Sequence, residues 1–256
     1  MKKLSENITK NAIMKQFAGS VSDVIVYETI DSTNTRARQF LIEGKKPPFL
    51  LAADRQTAGR GRHGNSFFSP ERGLYYSLVI KPNDMNSAIA KTTIAAAVSL
   101  REAIEETCGR NCSIKWVNDL YYEQKKVAGI LCEAPRGSDG SLPGIIIGIG
   151  INIVQQNFPP ELEGKAGSLN CPELDRNVLT AVLTEKLLSR CDNLNDPALI
   201  EEYKKHSLLI GRKVSFMQNG ITVTGTACDI NEDGNLIVEG DHRYILSSGE
   251  VSLLSW

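Results

Sequence analysis

The sequence pattern changes near Leu208, and this change limits the folds that the chain can adopt. Before it, apolar strands alternate with segments in which apolar residues recur at helical spacing. After it there is no helical period, and short strands are separated by Gly and Asn-Asp turns. The predicted strands of this second region are residues 213–217, 221–229, 236–239, 244–247 and 250–254. So many short strands indicate a small β-barrel, and we predict an α/β (α+β) domain over residues 1–208 and a barrel over residues 209–256.

Capping residues and apolar spacing predict the elements of the first domain. The stretch from Asp31 to Asn34 consists of good helix N-caps, and the helix after it is expected to stop near Gly44. The clearest helix is predicted over residues 87–107, with Ser87 as its cap and an apolar stripe that starts at Ile89. Two further helices are predicted at residues 178–191 and 197–206, and the strands at 24–27, 49–53, 74–80, 113–117 and 144–153, with a hairpin over 120–134.

Charge and composition exclude several classes of protein. Lys and Arg number 29 and Asp and Glu 30, and the net charge of -1 argues against a dedicated nucleic-acid binder, whose domain is usually strongly basic. The N-terminus lacks the apolar core of a signal peptide, and no apolar run is long enough to span a bilayer, so we expect a cytoplasmic protein without a membrane partner. The 6 cysteines and 3 histidines are dispersed without zinc-ligand spacing, so we expect reduced thiols and no histidine-based metal site.

Residues 56–70, QTAGRGRHGNSFFSP, alternate glycine with arginine. Glycine at this density lets the backbone approach a ligand closely, and Arg60 and Arg62 supply permanently charged, forked donors. The segment therefore predicts a mobile loop that folds over an anion. A flexible surface loop, or a patch that binds nucleic acid non-specifically, fits the same segment.

Three other stretches carry groups suited to chemistry. Residues 115–119, Lys-Trp-Val-Asn-Asp, place a cation, an amide and a carboxylate at the end of a predicted strand, although Asn-Asp is also common in plain turns. Lys126 precedes an apolar strand, where it is either a solvated end or a cation that points into a pocket. Gly148 and Gly150 lie inside an apolar strand, which marks a place where a ligand lies against the backbone. No helix follows with Rossmann spacing, so a dinucleotide fingerprint is a poor interpretation.

In order along the chain, these segments resemble a biotin protein ligase. The resemblance runs from about Tyr27 to the C-terminus, and the Gly-Arg loop and the Lys-Trp-x-Asn-Asp segment are its most specific parts. It implies a mixed-sheet catalytic domain related to class II aminoacyl-tRNA synthetases and lipoate ligases, followed by a small SH3-like domain. It also implies a two-step reaction, in which biotin and ATP give biotinyl-AMP and a lysine of a biotin carboxyl carrier domain then attacks the mixed anhydride.

The resemblance also implies roles for individual residues. Lys126, Lys115 and Arg62 are expected to be catalytic, because cations must offset the repulsion between a carboxylate and a phosphate. Asp119 is expected to hold Mg²⁺ as a hard oxygen ligand. The residues expected to bind ATP are Arg62, Lys115, Asn118, which would read the adenine edge, Asp119 and Asn152. Those expected to bind biotin are Ser32, Thr33, Asn34, Gln56, Gly59, Arg60, Arg62, Lys126, Gly129, Gly148 and Gly150.

The sequence departs from the family pattern at several positions. Many members carry arginines at His63 and Asn65 and a tryptophan at Phe67, and some carry an ATP-contacting arginine at Leu254, so contact between the tail and ATP is left open. About 26 residues precede Tyr27, too few for the winged helix of the repressor-type members, so we expect no binding to specific DNA.

The alternatives are a lipoate–protein ligase, a non-catalytic nucleic-acid-binding module and a non-catalytic biotin sensor. The Gly-Arg loop and the predicted tail domain favour biotin over lipoate. The net charge of -1 and the few aromatic residues of the tail count against nucleic acid. Lys115, Asp119 and Lys126 favour catalysis over sensing. A homodimer is also considered, through an exposed edge of the strand predicted at residues 144–153.

Overall fold

The computed structural model describes residues 7–17, 21–82, 88–137, 139–154 and 157–255. Within these residues the helices are α1 (Lys10–Met14), α2 (Thr33–Ile42), α3 (Ala88–Cys108), α4 (Arg176–Cys191) and α5 (Pro197–Lys205). The first seven strands are β1 (Val24–Ile30), β2 (Phe49–Gln56), β3 (Leu74–Ile80), β4 (Ser113–Lys115), β5 (Asp119–Tyr122), β6 (Lys125–Glu133) and β7 (Ile145–Ile151). The last five are β8 (Lys213–Gln218), β9 (Ile221–Ile230), β10 (Leu236–Glu239), β11 (Arg243–Leu246) and β12 (Val251–Leu253).

The first seven strands form one mixed sheet in the order β1-β2-β3-β7-β6-β5-β4, in which β1 and β2 are parallel and the other neighbours antiparallel. Side chains alternate between two cores, as strand geometry requires. On β2, Leu50 and Ala52 face the large core of α3 and α4, whereas Phe49 and Leu51 face the small core of α2. The sheet is therefore covered on both faces.

Local caps explain where several helices begin. Ser32 is the N-cap of α2, and its hydroxyl accepts from the Thr35 amide at 3.4 Å. The chain leaves α2 through Gly44, whose φ of 93° favours glycine. The predicted helix over residues 87–107 is found as α3, but its proposed cap Ser87 lies outside the described residues, and Ile89 is 45% exposed rather than part of the buried stripe.

The strand predicted over residues 113–117 is shorter than expected. β4 ends at Lys115, and residues 116–118 form a turn. Trp116 is buried there, and its indole N–H donates to the Gly234 carbonyl at 2.9 Å. The Tyr203 hydroxyl, which is fully buried, donates to the Val117 carbonyl at 3.1 Å. These two tertiary contacts hold the turn between β4 and β5.

The strand considered as a dimer edge is internal. β7 pairs with β3 along its whole length and, on its other side, with β6 from Ile146 to Ile151. An edge-to-edge dimer through residues 144–153 is therefore wrong. The sheet ends instead at β1 and β4, and Ile114 of β4 also pairs with Ser207 of the segment that leads to the C-terminal region.

The predicted C-terminal strands are found as an antiparallel sheet in the order β11-β10-β9-β8-β12. Within the described part of the chain, β11 and β12 do not pair, so the sheet is open and the predicted closed barrel is not found. The sheet packs on the first domain through the Trp116–Gly234 hydrogen bond and an ion pair of 2.9 Å between Lys204 and Asp229. No helix in the described ranges has the length and apolar character needed to cross a membrane.

Candidate active site

A cleft of about 250 Å³ lies on the α2 face of the mixed sheet. Most residues expected from the sequence to bind biotin or ATP line it: Ser32, Thr33, Asn34, Gln56, Arg60, Arg62, Lys115, Asn118, Asp119, Lys126, Gly129, Gly148 and Gly150. These residues come from α2 and its N-cap, the Gly-Arg loop, the turn before β5 and five strands, so the fold gathers segments that are far apart in sequence. Gly59 and Asn152 are the expected residues that do not line the cleft.

Protein side chains occupy the space left by the glycines of the cleft. Gly129 and Gly150 are partners in the ladder between β6 and β7, and the Phe67 ring lies against both. A Cβ at Gly150 would overlap this ring, and a Cβ at Gly148 would overlap the Asn34 amide. The glycines were expected to leave room for a ligand, but in this structure the Phe67 ring and the Asn34 amide lie against them.

Gly59 and Asn152 have contacts beside the cleft rather than in it. Gly59 is buried at the base of the Gly-Arg loop, where a Cβ would overlap the Phe67 carbonyl and the Ser69 hydroxyl. Asn152 is 6% exposed, and its Nδ2 donates to the Gly167 carbonyl at 3.0 Å. Its Oδ1 is buried without a hydrogen-bond partner among the described residues.

The floor of the cleft is a connected network of neutral groups. Gln56 Oε1 accepts from the Thr33 amide at 2.8 Å and from the Thr33 hydroxyl at 3.1 Å. The fully buried Ser77 hydroxyl lies 2.8 Å from Thr33 Oγ1 and 2.7 Å from Asn34 Oδ1. Gln56 Nε2 donates to Ser69 Oγ at 3.1 Å, and Ser69 donates to the Phe67 carbonyl at 2.8 Å. The network thus joins α2 to the end of the Gly-Arg loop.

The opposite end of the cleft carries the charges. Lys126 Nζ and Asp119 Oδ1 form an ion pair of 2.7 Å, and Lys115 Nζ lies 5.5 Å from the centre of the Tyr121 ring. Burial lowers the pKa of Lys115, and the neighbouring Lys126 charge lowers it further against the opposing pull of Asp119. The described residues contain no group of three His, Cys, Asp or Glu side chains that could hold a metal.

Arg62 and Asn118 contact each other across the cleft. Arg62 Nη1 donates to Asn118 Oδ1 at 3.1 Å, and Asn118 Nδ2 donates to the Ile130 carbonyl at 2.8 Å. The amide of Asn118 therefore anchors the Gly-Arg loop to β6. An adenine edge would have to displace or share these contacts.

The Gly-Arg loop also has hydrogen bonds of its own. The Gly61 amide donates to the Asn65 carbonyl at 2.7 Å, and the Phe67 amide donates to the Gly59 carbonyl at 2.9 Å. Its tip includes His63 with a φ of 54°, a conformation that few non-glycine residues adopt. These bonds give the loop a defined conformation, and the Arg62–Asn118 contact joins it to the rest of the cleft.

Two contributions to the cleft were missed at the level of sequence. Glu133, at the end of β6, binds Arg60 at 3.0 Å, whereas Arg60 was expected beside the biotin carboxylate. A charged residue that ends an apolar strand is usually solvated, so no local signal marked it. The C-terminal sheet adds residues 249–252, among them Glu250, to the wall of the cleft, while Leu254 is 53% exposed and lies outside it. The tail therefore contributes to the cleft without the side chain at position 254.

Comparison with known proteins agrees with this architecture. Residues 26–152 match the model of the biotin/lipoate A/B protein ligase family, and residues 209–254 match the biotin protein ligase C-terminal domain. A biotin–[acetyl-CoA-carboxylase] ligase of Paracoccus denitrificans is 36% identical over 234 residues, which cover 86% of this chain and 96% of that protein. The chain belongs to the biotin protein ligase family.

Other members of the biotin protein ligase family match over most of the chain. The bifunctional ligase/repressor BirA of Bacillus subtilis is 30% identical over 93% of this chain and 75% of its own length. The structure of a biotin protein ligase from Aquifex aeolicus in complex with biotin and ATP superposes with a TM-score of 0.75, at 29% identity, over 91% of this chain and 98% of that one.

Proposed function

We propose that this ligase uses ATP to attach biotin to one lysine of a biotin carboxyl carrier domain, with biotinyl-AMP as the intermediate. The observation that carries the proposal is the division of the cleft into a neutral, hydrogen-bonding floor and a cationic end. Family membership and the Aquifex aeolicus complex with biotin and ATP support the same ligands.

The first step joins two anions, and the cationic end suits it. Attack of the biotin carboxylate on the α-phosphate of ATP forms a C–O–P anhydride and releases pyrophosphate. Lys126, Lys115 and Arg62 all line the cleft. In this proposal Lys126 offsets the charge that develops between the two groups, and Lys115 and Arg62 bind the phosphate oxygens. Arg60 supports the loop through Glu133 rather than acting first on the carboxylate.

The metal ion is proposed to arrive with ATP. Mg²⁺ usually keeps several waters and binds through one or two carboxylates plus substrate phosphates. Asp119 supplies one such carboxylate, and the lack of a larger acidic cluster in the described residues agrees with a metal that is held mainly by the nucleotide.

The floor favours biotin over lipoate as the acid. The cyclic urea of biotin carries two N–H donors and one carbonyl acceptor, whereas the dithiolane ring of lipoate carries no strong hydrogen-bonding group. Asn34 Oδ1 keeps acceptor capacity, and one N–H of Gln56 has no partner among the described residues. A dithiolane ring would leave these polar groups unsatisfied, at a cost of about 1–3 kcal/mol each.

In the second step the carrier lysine attacks the carbonyl of the anhydride, an amide bond forms and AMP leaves. The Gly-Arg loop must close to keep water from the anhydride and open to admit the lysine. Further parts of the proposal are a cytoplasmic location, no specific binding to DNA, and fold assignments of the class II synthetase type for the first domain and the SH3-like type for the second.

The test combines the purified chain with labelled biotin, ATP, Mg²⁺ and a carrier domain. Label on the carrier that depends on ATP supports the ligase, and a carrier whose target lysine is replaced by arginine is the control. Preferential transfer of lipoate would favour the lipoate ligase, and biotin binding without transfer would favour the sensor. An ATP-independent complex with nucleic acid at physiological salt would favour the nucleic-acid module.

A further inference from the structure

Glu133 is a mostly buried carboxylate that contacts residues of the cleft without lining the cleft itself. It ends β6, its side chain is 12% exposed, and it is not part of the cleft lining. Oε1 accepts from Arg38 at 2.8 Å, and Oε2 accepts from Arg60 at 3.0 Å and from Asn34 Nδ2 at 2.9 Å. The two arginines balance the carboxylate, because an unpaired charge would be costly at this depth.

The Glu133 carboxylate fixes the orientation of the Asn34 side-chain amide. Asn34 Nδ2 donates its two hydrogens to the Leu131 carbonyl at 3.3 Å and to Glu133 at 2.9 Å. Both partners only accept, so exchanging the amide nitrogen and oxygen would set oxygen against oxygen. Oδ1 therefore stays on the side of Ser77, from which it accepts at 2.7 Å. Asn34 therefore offers a ligand a lone pair on Oδ1 but no N–H.

We propose that Glu133 is a positioning residue that locks Asn34 as a hydrogen-bond acceptor, so that the cleft selects a head group presenting an N–H at that point. The inference rests on the proposed function, since the urea ring of biotin has such an N–H on either side of its carbonyl. Glutamine at position 133 would offer its own NH₂ to Asn34 and allow the Asn34 amide to turn over. A donor would then face a donor, and biotin would bind less tightly.

Exchanging the two side-chain types gives a rescue experiment. Asn34→Asp alone places two carboxylates against each other. Asn34→Asp combined with Glu133→Gln restores one donor and one acceptor between residues 34 and 133, with the NH₂ now on residue 133, whereas the bond to the Leu131 carbonyl stays lost. Residue 34 again offers only oxygen to the ligand. A merely structural role for Glu133 predicts that the double variant is at least as damaged as either single one.

The measurement is biotin affinity by titration calorimetry on the full chain, with Glu239→Gln as the matched control, since Glu239 forms an exposed ion pair with Arg243 on the C-terminal sheet. We expect about 10-fold or greater weakening in each single variant, binding in the double variant at least about 3-fold tighter than in either single variant, and no change in the control. Unchanged biotin affinity in Glu133→Gln, or no recovery in the double variant, would overturn the proposal.

The unmodified chain provides a second test that does not depend on the folding of variants. Two lactam analogues of biotin, each with one ring N–H replaced by CH₂, should differ in affinity by about 10-fold, because only one ring nitrogen faces Asn34. Equal, biotin-like affinity for both analogues would overturn the inference while leaving the proposed function intact. A chain that binds no biotin at all would overturn both.

Discussion

The floor of the cleft and its charged end consist of different kinds of side chains. At the floor, Thr33, Asn34 and Ser77 are neutral, buried and joined by hydrogen bonds. At the other end, Lys126 and Asp119 carry full charges and remain partly exposed, with side chains 34% and 21% accessible. Neutral groups are suited to recognition, since they are satisfied by protein and ligand together, whereas mobile charges are suited to a reaction in which charge develops and leaves.

The comparison assigns separate kinetic signatures to the two ends. Loss of a group that acts only in the transition state lowers kcat, and loss of a group that binds substrate and transition state equally raises KM. Substitutions at the charged end should therefore act on turnover and on the KM for ATP, and substitutions at the floor mainly on the KM for biotin.

The largest effect is expected for Lys126→Ala. Removing one charge-assisted contact to the developing charge should lower the rate of biotinyl-AMP formation at least about 100-fold, or roughly 3 kcal/mol. The measurement is pyrophosphate release, with Lys125→Ala as control, because Lys125 is the exposed neighbour on the same strand. Near-normal release by Lys126→Ala would remove this lysine from the chemistry.

Gln56→Ala tests the floor. The change leaves the Thr33 amide and hydroxyl without the acceptor they share, so we expect the KM for biotin to rise about 10- to 100-fold with kcat nearly unchanged. Gln39→Ala, on the exposed side of α2, should behave like the parent. A fall in kcat at unchanged KM would contradict the division between the two ends.

Arg62→Gly tests the anchor that joins the loop to the charged end. It removes the bond to Asn118 Oδ1 and adds backbone freedom, so biotinyl-AMP should escape and label unrelated lysines several-fold more than the parent does. The readout is biotin on a bystander protein mixed with the enzyme and ATP. Arg72→Gly is the control, since Arg72 is exposed in a turn with a φ of 69°, which glycine accepts. Equal bystander labelling in both variants would mean that Arg62 does not hold the loop.

The smallest effect is a pH dependence at Lys115. Burial lowers the pKa of this lysine, so as pH rises its ammonium form is lost earlier than that of an exposed lysine. We expect the KM for ATP to rise a few-fold through that alkaline range. Lys115→Arg, which stays charged, should move the rise to higher pH. Superimposable pH profiles of the parent and Lys115→Arg would show that the charge of Lys115 does not bind ATP.

Local features could be predicted from the sequence because local chemistry determines them. Ser32 caps α2, Glu123 and Gln124 take the positive φ angles of the predicted hairpin turn, and the C-terminal strands follow their turn residues. The family motifs also identified most of the cleft lining, because each motif keeps its residues within one short segment. α1, which has Thr9 as its N-cap, was not predicted because its 5 residues are too few to show a helical period.

Features that depend on distant partners could not be predicted in the same way. β4 ends before Trp116, whose indole N–H donates to the Gly234 carbonyl. This partner is 118 residues away in sequence, so no local pattern marks the end of the strand. Glu133 gains its role from Arg38, Arg60 and Asn34, which lie 73 to 99 residues away. The central position of β7 in the sheet is visible in the sequence, because a continuous apolar run such as IIIGIGI is typical of a strand buried on both faces.

The hydrogen bond from Trp116 to Gly234 joins the turn that follows Lys115 to a part of the chain that a cut near residue 208 would remove. Such a cut would also take away residues 249–252 from the wall of the cleft. Two fragments made in this way would each hold an incomplete site, and only their reassembly would rebuild it. Fused to two other proteins, the fragments would report the meeting of those proteins as biotin attached to a carrier domain.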